Sequence, residues 1–322
     1  AGTTWLADQQ NDDGSWGQWN QVAKTGFAVL KFETHAISIG EDPLNPSYQY
    51  YNQVRKGLDY IFANAWTVSI GMQPAGNPDT DGDGIGVGFG WYRTYETGIA
   101  MMGIAASTHP EMVVNVPGSA VNGWTYEDVL QDAVDYLAFG QNDADSGRGG
   151  WGYEENMGWS DNSNTGYAVL GLAYAEAPLP YGFGLAIPAF VKSELNIWID
   201  YIQNDVDGDP DDGGSGYTDP GWANILRTGN LLFEMAFVGD TKDTQRVIDA
   251  VNYIERHWND ANIDPGWRGS PGEIASYQAM YTTMKGFEAL GIDTIIVDST
   301  EVNWEEEFCE VLVTQQNPDG SW

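Results

Sequence analysis

The chain has 322 residues, 42% hydrophobic and 13% aromatic, which is enough to bury the core of one large domain or two ordinary ones. Its 47 acidic residues outnumber 13 basic ones, and the formal net charge is −34. A surface this acidic repels phosphate backbones and anionic lipids, which argues against nucleic-acid partners. No run of about 18 apolar residues occurs, so we expect no membrane insertion.

One short segment is repeated along the chain. Residues 10–16 read Gln-Asn-Asp-Asp-Gly-Ser-Trp, and residues 316–322 differ from them only at Pro318. Looser copies between the two each lead from a helical stretch to an aromatic residue, namely Trp91, Trp151, Tyr217 and Trp267. The six copies lie about 50 to 70 residues apart, which is the spacing of a tandem helical repeat.

A second signature follows the loops. Small and apolar stretches open with Thr25-Gly26, Thr97-Gly98, Thr165-Gly166 and Thr228-Gly229, and a drifted fifth copy opens with Ser276-Tyr277. Helices of this composition are buried on several sides. The stretches before the loops, such as residues 245–257, are amphipathic instead. An amphipathic outer helix paired with an apolar inner one is what two concentric rings require.

Periodicity and stop signals give the elements in chain order. We predict helices over residues 3–10, 21–37, 50–64, 94–106, 126–140, 162–176, 188–203, 222–237, 243–258, 273–290 and 300–315. The Asn-Asp-Gly stretch stops the first helix of each pair, the glutamine can bond backbone groups at the helix end, and the tryptophan indole finds a partner.

These elements predict one all-α domain over residues 1–322. The six repeats lie near 1–40, 50–108, 126–177, 188–240, 243–292 and 300–322. The last hairpin is incomplete, so we expect a further inner helix after Trp322, or another chain that supplies it.

At these loops the chain resembles the squalene-hopene cyclase and protein prenyltransferase superfamily, whose repeat is called the QW motif. The resemblance implies an α/α toroid of about six helical hairpins. The resemblance also implies the catalytic residues of these enzymes, and their absence from this sequence suggests a non-catalytic member. Asp209-Pro210-Asp211-Asp212 fits the cyclase acid string, but it lies in a hydrophilic loop rather than an apolar cavity.

The zinc chemistry of the prenyltransferases finds no ligand set in this sequence. Cys309 is the only cysteine, and His35, His109 and His257 are scattered. We interpret Cys309 as a small buried hydrophobe. A complement-type thioester sequence is also missing, and we expect neither zinc nor a nucleotide.

Two acidic loops favour calcium. Asn77, Asp79, Asp81 and Asp83 present oxygen atoms at every second position, with glycines that permit a tight wrap around a hard cation. No glutamate stands at the twelfth position, where Gly90 lies. A second loop has the same alternation at Asp205, Asp207, Asp209 and Asp211. Solvated acidic turns without an ion are the alternative.

Four of the seven arginines fall in or just after the repeat loops, at Arg93, Arg148, Arg227 and Arg268. Together they could form a ring of cations that binds an anionic ligand such as an acidic sugar, or they could pair with loop carboxylates. Trp91 and Trp151 could stack on a carbohydrate or terpenoid, or pack in the core.

These features favour an extracellular or cell-surface toroid, stabilised by calcium, with a structural, adhesion or assembly-forming role and without catalysis. Its partners would be other protein chains, including copies of itself, or carbohydrate. Two alternatives stay open. One is a polysaccharide lyase or glycosidase with a carboxylate pair drawn from Glu96, Glu154, Glu155, Glu234 and Glu273. The other is a terpenoid cyclase-like enzyme.

Overall fold

The computed structural model describes residues 2–322, which form eleven α-helices. They are α1 (Gly2–Asp8), α2 (Gln21–Ser38), α3 (Tyr51–Ala63), α4 (Arg93–Ala106), α5 (Tyr126–Gly140), α6 (Asn162–Glu176), α7 (Ala189–Ile202), α8 (Ile225–Val238), α9 (Gln245–His257), α10 (Tyr277–Leu290) and α11 (Trp304–Gln315). Each predicted helix is confirmed. Within the described residues, none is both long and apolar enough to cross a membrane.

Some helices begin later than predicted, and their capping residues explain why. The side chain of Asn224 accepts a hydrogen bond from the Arg227 N–H, and Ser276 accepts one from the Ala279 N–H. These caps fix the starts of α8 and α10, because a side-chain oxygen satisfies an orphan amide of the first turn.

The helices form two layers, and the all-α toroid is confirmed. Helices α2, α4, α6, α8 and α10 pack side by side in that order, and the odd-numbered helices cover them from outside. Inner helix α4 buries 12 of its 14 residues, whereas outer helix α9 buries 4 of 13. The apolar character of the second helix in each pair therefore reflects its place in the inner layer.

The Thr-Gly signature joins an inner helix to its loop and to its neighbour. The threonine hydroxyl accepts a hydrogen bond from a loop backbone N–H in four repeats, from Trp16, Phe89, Trp151 and Ser215 respectively. The glycine permits backbone contact between inner helices. A Cβ on Gly98 would lie 2.1 Å from the Tyr167 carbonyl oxygen, and one on Gly229 would lie 2.5 Å from the Thr283 nitrogen.

The loop glutamine bridges consecutive repeats. Gln141 Nε2 donates to the Gly149 carbonyl in its own loop (2.8 Å) and to the Val191 carbonyl in the first turn of α7 (3.0 Å). Gln10 and Gln203 make the equivalent pair of bonds to α3 and α9. The indoles donate back to the preceding outer helix in three copies, at Trp16, Trp151 and Trp322. The predicted roles of glutamine and tryptophan are confirmed.

The first and last copies of the repeat meet. A Cβ on Gly2 would lie 2.6 Å from the Trp322 ring, so α1 packs against the segment that follows α11. Gln316 bonds its own loop carbonyl at Gly320. Completion of the sixth hairpin by a further inner helix, from this chain or another, stays a prediction.

Two antiparallel hairpins were not predicted. The first pairs β1 (Ala65–Ser69) with β2 (Ile85–Phe89), and the second pairs β3 (Thr294–Val297) with β4 (Thr300–Asn303). The first hairpin is an insertion between α3 and α4 that covers outer helix α5. This cover explains why α5 buries 11 of its 15 residues, more than α9.

Two glutamates lie in the core, whereas the cysteine lies outside it. Glu33 and Glu234 are fully buried on inner helices, and none of their carboxyl oxygens accepts a hydrogen bond within residues 2–322. Burial raises the pKa of both carboxyls well above the usual range. Cys309 is exposed on α11, so its interpretation as a buried hydrophobe is wrong; it occupies the solvent side of an outer helix.

We predict that Gln141→Ala destabilises the fold by about 2–4 kcal/mol, because two buried carbonyls lose a donor and a cavity forms. Urea unfolding of the full chain measures the change. Gln316→Ala is the matched control, since that amide bonds one carbonyl at the half-exposed last loop, and it should cost about 1 kcal/mol or less. Equal losses in the two variants would contradict the bridging role.

We predict that Glu234→Gln stabilises the fold at neutral and basic pH. The folded-state pKa of Glu234 is raised, mainly by burial and further by the Asp161 charge, so the acid favours folding only below its unfolded pKa of about 4.3. Above that pH, ionisation in the unfolded state progressively removes the stability. A neutral amide avoids this loss.

The melting temperature of Glu234→Gln should therefore exceed that of the wild type by roughly 2–4 °C near pH 8, and the gain should vanish near pH 4. Glu310→Gln, on the exposed face of α11, should change little at either pH. A gain that is the same at both pH values would refute the explanation from burial.

Candidate functional site

The inner helices begin at one end of the toroid, because each follows a repeat loop. The first turns of α2, α4, α6 and α10 surround a cavity of about 650 Å³, here called the mouth. Its lining is mostly aromatic, with Phe27, Tyr92, Tyr95, Tyr153, Tyr167 and the amide of Gln278. A volume of this size lies within the range of about 300–1,000 Å³ that is usual for small-ligand sites.

The tyrosine rings of the mouth pack against one another. Tyr92 stacks on Tyr95 with ring centroids 5.6 Å apart, and Tyr95 meets Tyr153 at 6.2 Å. Phe27 of α2 meets Tyr281 of α10 edge-on at 5.5 Å. Burial raises the pKa of the Tyr95 phenol, with Glu96 adding to the effect. The Tyr95 phenol therefore stays protonated, and the tyrosine hydroxyls of the mouth can both donate and accept hydrogen bonds.

Four tryptophans stand at equivalent positions in the repeats, two or three residues before the inner helices α2, α4, α6 and α8. Trp19 is 78% exposed, Trp91 85% and Trp222 86%, and Trp159 is exposed to a smaller extent. Exposed indoles recurring at one end of a fold mark an interaction surface, because a solvated tryptophan leaves much apolar area in contact with water.

A second pocket of about 500 Å³ adjoins the mouth between Trp19 and Trp91. Its one carboxyl group belongs to Glu96, which is 2% exposed and whose Oε2 accepts hydrogen bonds from the N–H groups of Trp91 (2.7 Å) and Tyr92 (2.8 Å). Glu96 therefore holds the turn that presents Trp91 to solvent.

The other glutamates considered for catalysis are dispersed. Glu155 pairs with Arg93, Glu234 is sealed in the core, Glu154 is exposed beside Trp91, and Glu273 caps the loop at Ser270. None of the five lines the mouth itself.

Three of the four loop arginines form ion pairs with carboxylates, which is one of the two arrangements considered from the sequence, and so they do not form a ring of free cations. Arg93 pairs with Glu155, Arg148 with Glu194 at 2.7 Å, and Arg268 with Glu307. The excess of carboxylates draws each guanidinium into an ion pair. Arg227 lies over the Tyr217 ring and donates to the Trp222 carbonyl, so it supports the exposed indole.

The two tryptophans predicted to bind ligand behave differently. Trp91 is at the rim of the mouth, as a ligand platform requires. Trp151 is wholly buried, and its indole donates to the Leu137 carbonyl, so the prediction of ligand binding is wrong for this residue. In the second repeat the residue that bonds the inner-helix threonine is Phe89, and Trp91 comes two positions later.

The loop after β1 carries the first acidic sequence. Asp79 accepts hydrogen bonds from the Gly82 and Gly84 N–H groups, and Asp81 accepts one from the Asp83 N–H. One carboxyl oxygen from each of Asp79, Asp81 and Asp83 lies within 4.8 Å of the others. The Asn77 amide donates to the Asp79 carbonyl, so it shapes the loop from outside this group.

Two buried aspartates of α5 meet this loop, and sequence reasoning missed both. Carboxyl oxygens of Asp81, Asp132 and Asp135 lie within 4.8 Å of one another. We call these three residues the acidic pocket. Thr80 binds Asp135 through its N–H (2.8 Å) and its hydroxyl (2.9 Å), which anchors the loop on α5. An acidic stripe at i, i+4 and i+7 of a mostly buried helix, Asp128-Asp132-Asp135, was the signal available.

Burial and mutual repulsion make ionisation of the carboxyl groups in the acidic pocket unfavourable. Burial, followed by the charges of Asp83 and Asp81, raises the pKa of Asp132 to about 8. Burial raises the pKa of Asp135 to about 6, against the lowering effect of its bonds from Thr80. Both shifts arise because carboxylates held close together in a poorly solvated place disfavour ionisation.

The second acidic loop gathers no such group within residues 2–322. Asp205, Asp207 and Asp209 are exposed, and Asp209 accepts a hydrogen bond from the Asp211 N–H. The prediction of a cation at this loop gains no support from the geometry.

Comparison with known proteins gives no family. No protein-family model and no curated protein matches the chain. Among solved structures, a wild-type glycosidase aligns with a TM-score of 0.43, and two glycosidase variants align with 0.45. Each is 16% identical, over 84% of this chain and 67% of the other. At these scores the likeness supports no inference about activity, and the resemblance to the cyclase and prenyltransferase superfamily stays a prediction.

Proposed function

We propose that the chain is an extracellular glycan-binding module, and that its mouth holds a neutral oligosaccharide. The observation that carries the proposal is a set of exposed tryptophans at equivalent positions of the repeats, of which Trp19 and Trp91 line a pocket that adjoins the tyrosine-lined mouth. The apolar C–H faces of sugars stack on aromatic rings, and their hydroxyls need partners that both donate and accept. The tyrosine hydroxyls and the Gln278 amide supply those partners.

Charge selects the class of glycan. The net charge of −34 repels uronic acids and sulfated sugars. Three of the four loop arginines are already paired with glutamates, so they offer little to an anionic sugar. Lys24 is the cation that lines the mouth. A neutral glycan is not repelled by this negative charge. A neutral oligosaccharide therefore replaces the acidic sugar considered from the sequence.

The proposal concerns binding. Hydrolysis of a glycosidic bond requires two carboxyl groups on either side of the bound sugar. Glu96 is held by two backbone amides, and it is the one carboxyl-bearing residue that lines the adjoining pocket. The extracellular location rests on the acidic surface and on the Asp-Gly loops suited to calcium.

We predict that Trp91→Ala weakens binding of a neutral oligosaccharide about tenfold, equivalent to about 1.4 kcal/mol, because the sugar loses a stacking face. Isothermal titration calorimetry with neutral tetra- to hexasaccharides of glucose, mannose, xylose and N-acetylglucosamine measures it. Tyr181→Ala is the matched control, since Tyr181 is an exposed aromatic outside the mouth.

The fold should be intact in both variants, because both side chains are mostly solvated. A wild-type chain that binds none of the neutral sugars, or that binds uronic-acid oligomers more tightly, would refute the proposal. Release of reducing ends in the same mixtures would extend it from binding to polysaccharide cleavage.

A further inference from the structure

The acidic pocket has the dimensions of a calcium site. Calcium binds oxygen ligands at about 2.4 Å, so two ligands on opposite sides of the ion are about 4.8 Å apart. The oxygens of Asp81, Asp132 and Asp135 all lie within that distance of one another. Magnesium usually keeps several waters and binds through one or two carboxylates, whereas calcium accepts a larger set of carboxylate oxygens. The three ligands are all carboxylates, which suits a hard cation rather than zinc.

An unpartnered buried oxygen points to an ion independently of the acidic cluster. Asp132 is 2% exposed, and its Oδ1 accepts no hydrogen bond within residues 2–322. A buried carboxylate oxygen without a donor is costly, and nearby carboxylates add repulsion. Asp135 differs, because it is held by Thr80 and Gln131. The unpaired oxygen belongs to the carboxyl group that lies beside those of Asp81 and Asp135.

We propose that Asp81, Asp132 and Asp135 bind one calcium ion that clamps the loop between β1 and β2 onto outer helix α5. Asp79 and Asp83 lie within 4.8 Å of Asp81 and add negative charge, so the loop contributes a ligand from its exposed side and α5 contributes two from its buried side. Asp132 and Asp135 of α5 take the place of the missing twelfth-position glutamate, because they supply the carboxylates that a local calcium loop lacks.

The clamp connects two parts of the chain far apart in sequence. Thr80 and Asp135 already join them through hydrogen bonds, and Gly76 of the same loop lies against the Phe190 ring of α7. An ion at the acidic pocket would hold the insertion between α3 and α4 against the outer helices α5 and α7. The inference is independent of glycan binding, since the acidic pocket and the mouth share no residue.

The test is calcium binding and thermal melting of the full chain after removal of ions with EDTA. The wild type should bind calcium and melt at a higher temperature in calcium than in EDTA. Asp81→Asn should weaken binding about tenfold or more and remove most of that increment. Because Asp81 is exposed, this variant should keep its fold and its melting temperature in EDTA.

Asp132→Asn gives the sharper result. Replacing the carboxylate relieves burial and repulsion, so the melting temperature in EDTA should rise while the calcium-dependent increment is lost. A merely structural aspartate would lower the melting temperature in both conditions. Asp207→Asn, in the exposed second loop, is the matched control and should behave as the wild type.

A wild type without a calcium-dependent increment would overturn the proposal. So would an Asp81→Asn or Asp132→Asn variant with the wild-type increment and affinity. A loss of the increment in Asp207→Asn equal to that in Asp81→Asn would also overturn it, since it would place the effect in the general charge of the surface.

Discussion

The buried loop that closes each hairpin is the constraint on which the rest of the fold depends. Where the backbone of this loop is buried between helices, its polar groups must find hydrogen-bond partners other than water. The threonine hydroxyl serves a loop N–H in four repeats, and the glutamine amide serves a loop carbonyl and the next outer helix. One set of residues thus ends an outer helix, starts an inner one and joins consecutive repeats.

The candidate binding surfaces lie where the chain adds residues to this repeat pattern. The exposed tryptophans occupy residues between the loop and the inner helix, which the loop hydrogen bonds leave free. The acidic pocket arises where the insertion between α3 and α4 lies on α5. The repeat supplies a rigid frame, and the additions supply the surfaces for a ligand, an arrangement suited to variation in function without change of fold.

The fold could be predicted because its signals are local, in the helical periodicity and the stop residues before Trp16, Trp151 and Trp322. The acidic pocket and the ion pairs could be predicted only in part, because their partners are distant in sequence. Asp81 is a local signal, but Asp132 lies on another element, and the Arg93 partner Glu155 is 62 residues away. The hairpin of β1 and β2 was missed for the same reason, since the two strands pair across a long glycine-rich insertion.

Native-state hydrogen exchange of the loop amides tests the central role of the loop bonds most directly. The N–H groups of Phe89, Trp151 and Ser215, which donate to the inner-helix threonines, should exchange only through global unfolding and be among the slowest in the chain. Loop amides outside these bonds should exchange much faster. Rapid exchange of the three protected amides in the folded protein would contradict the account, because the loops would then open without disturbing the helices.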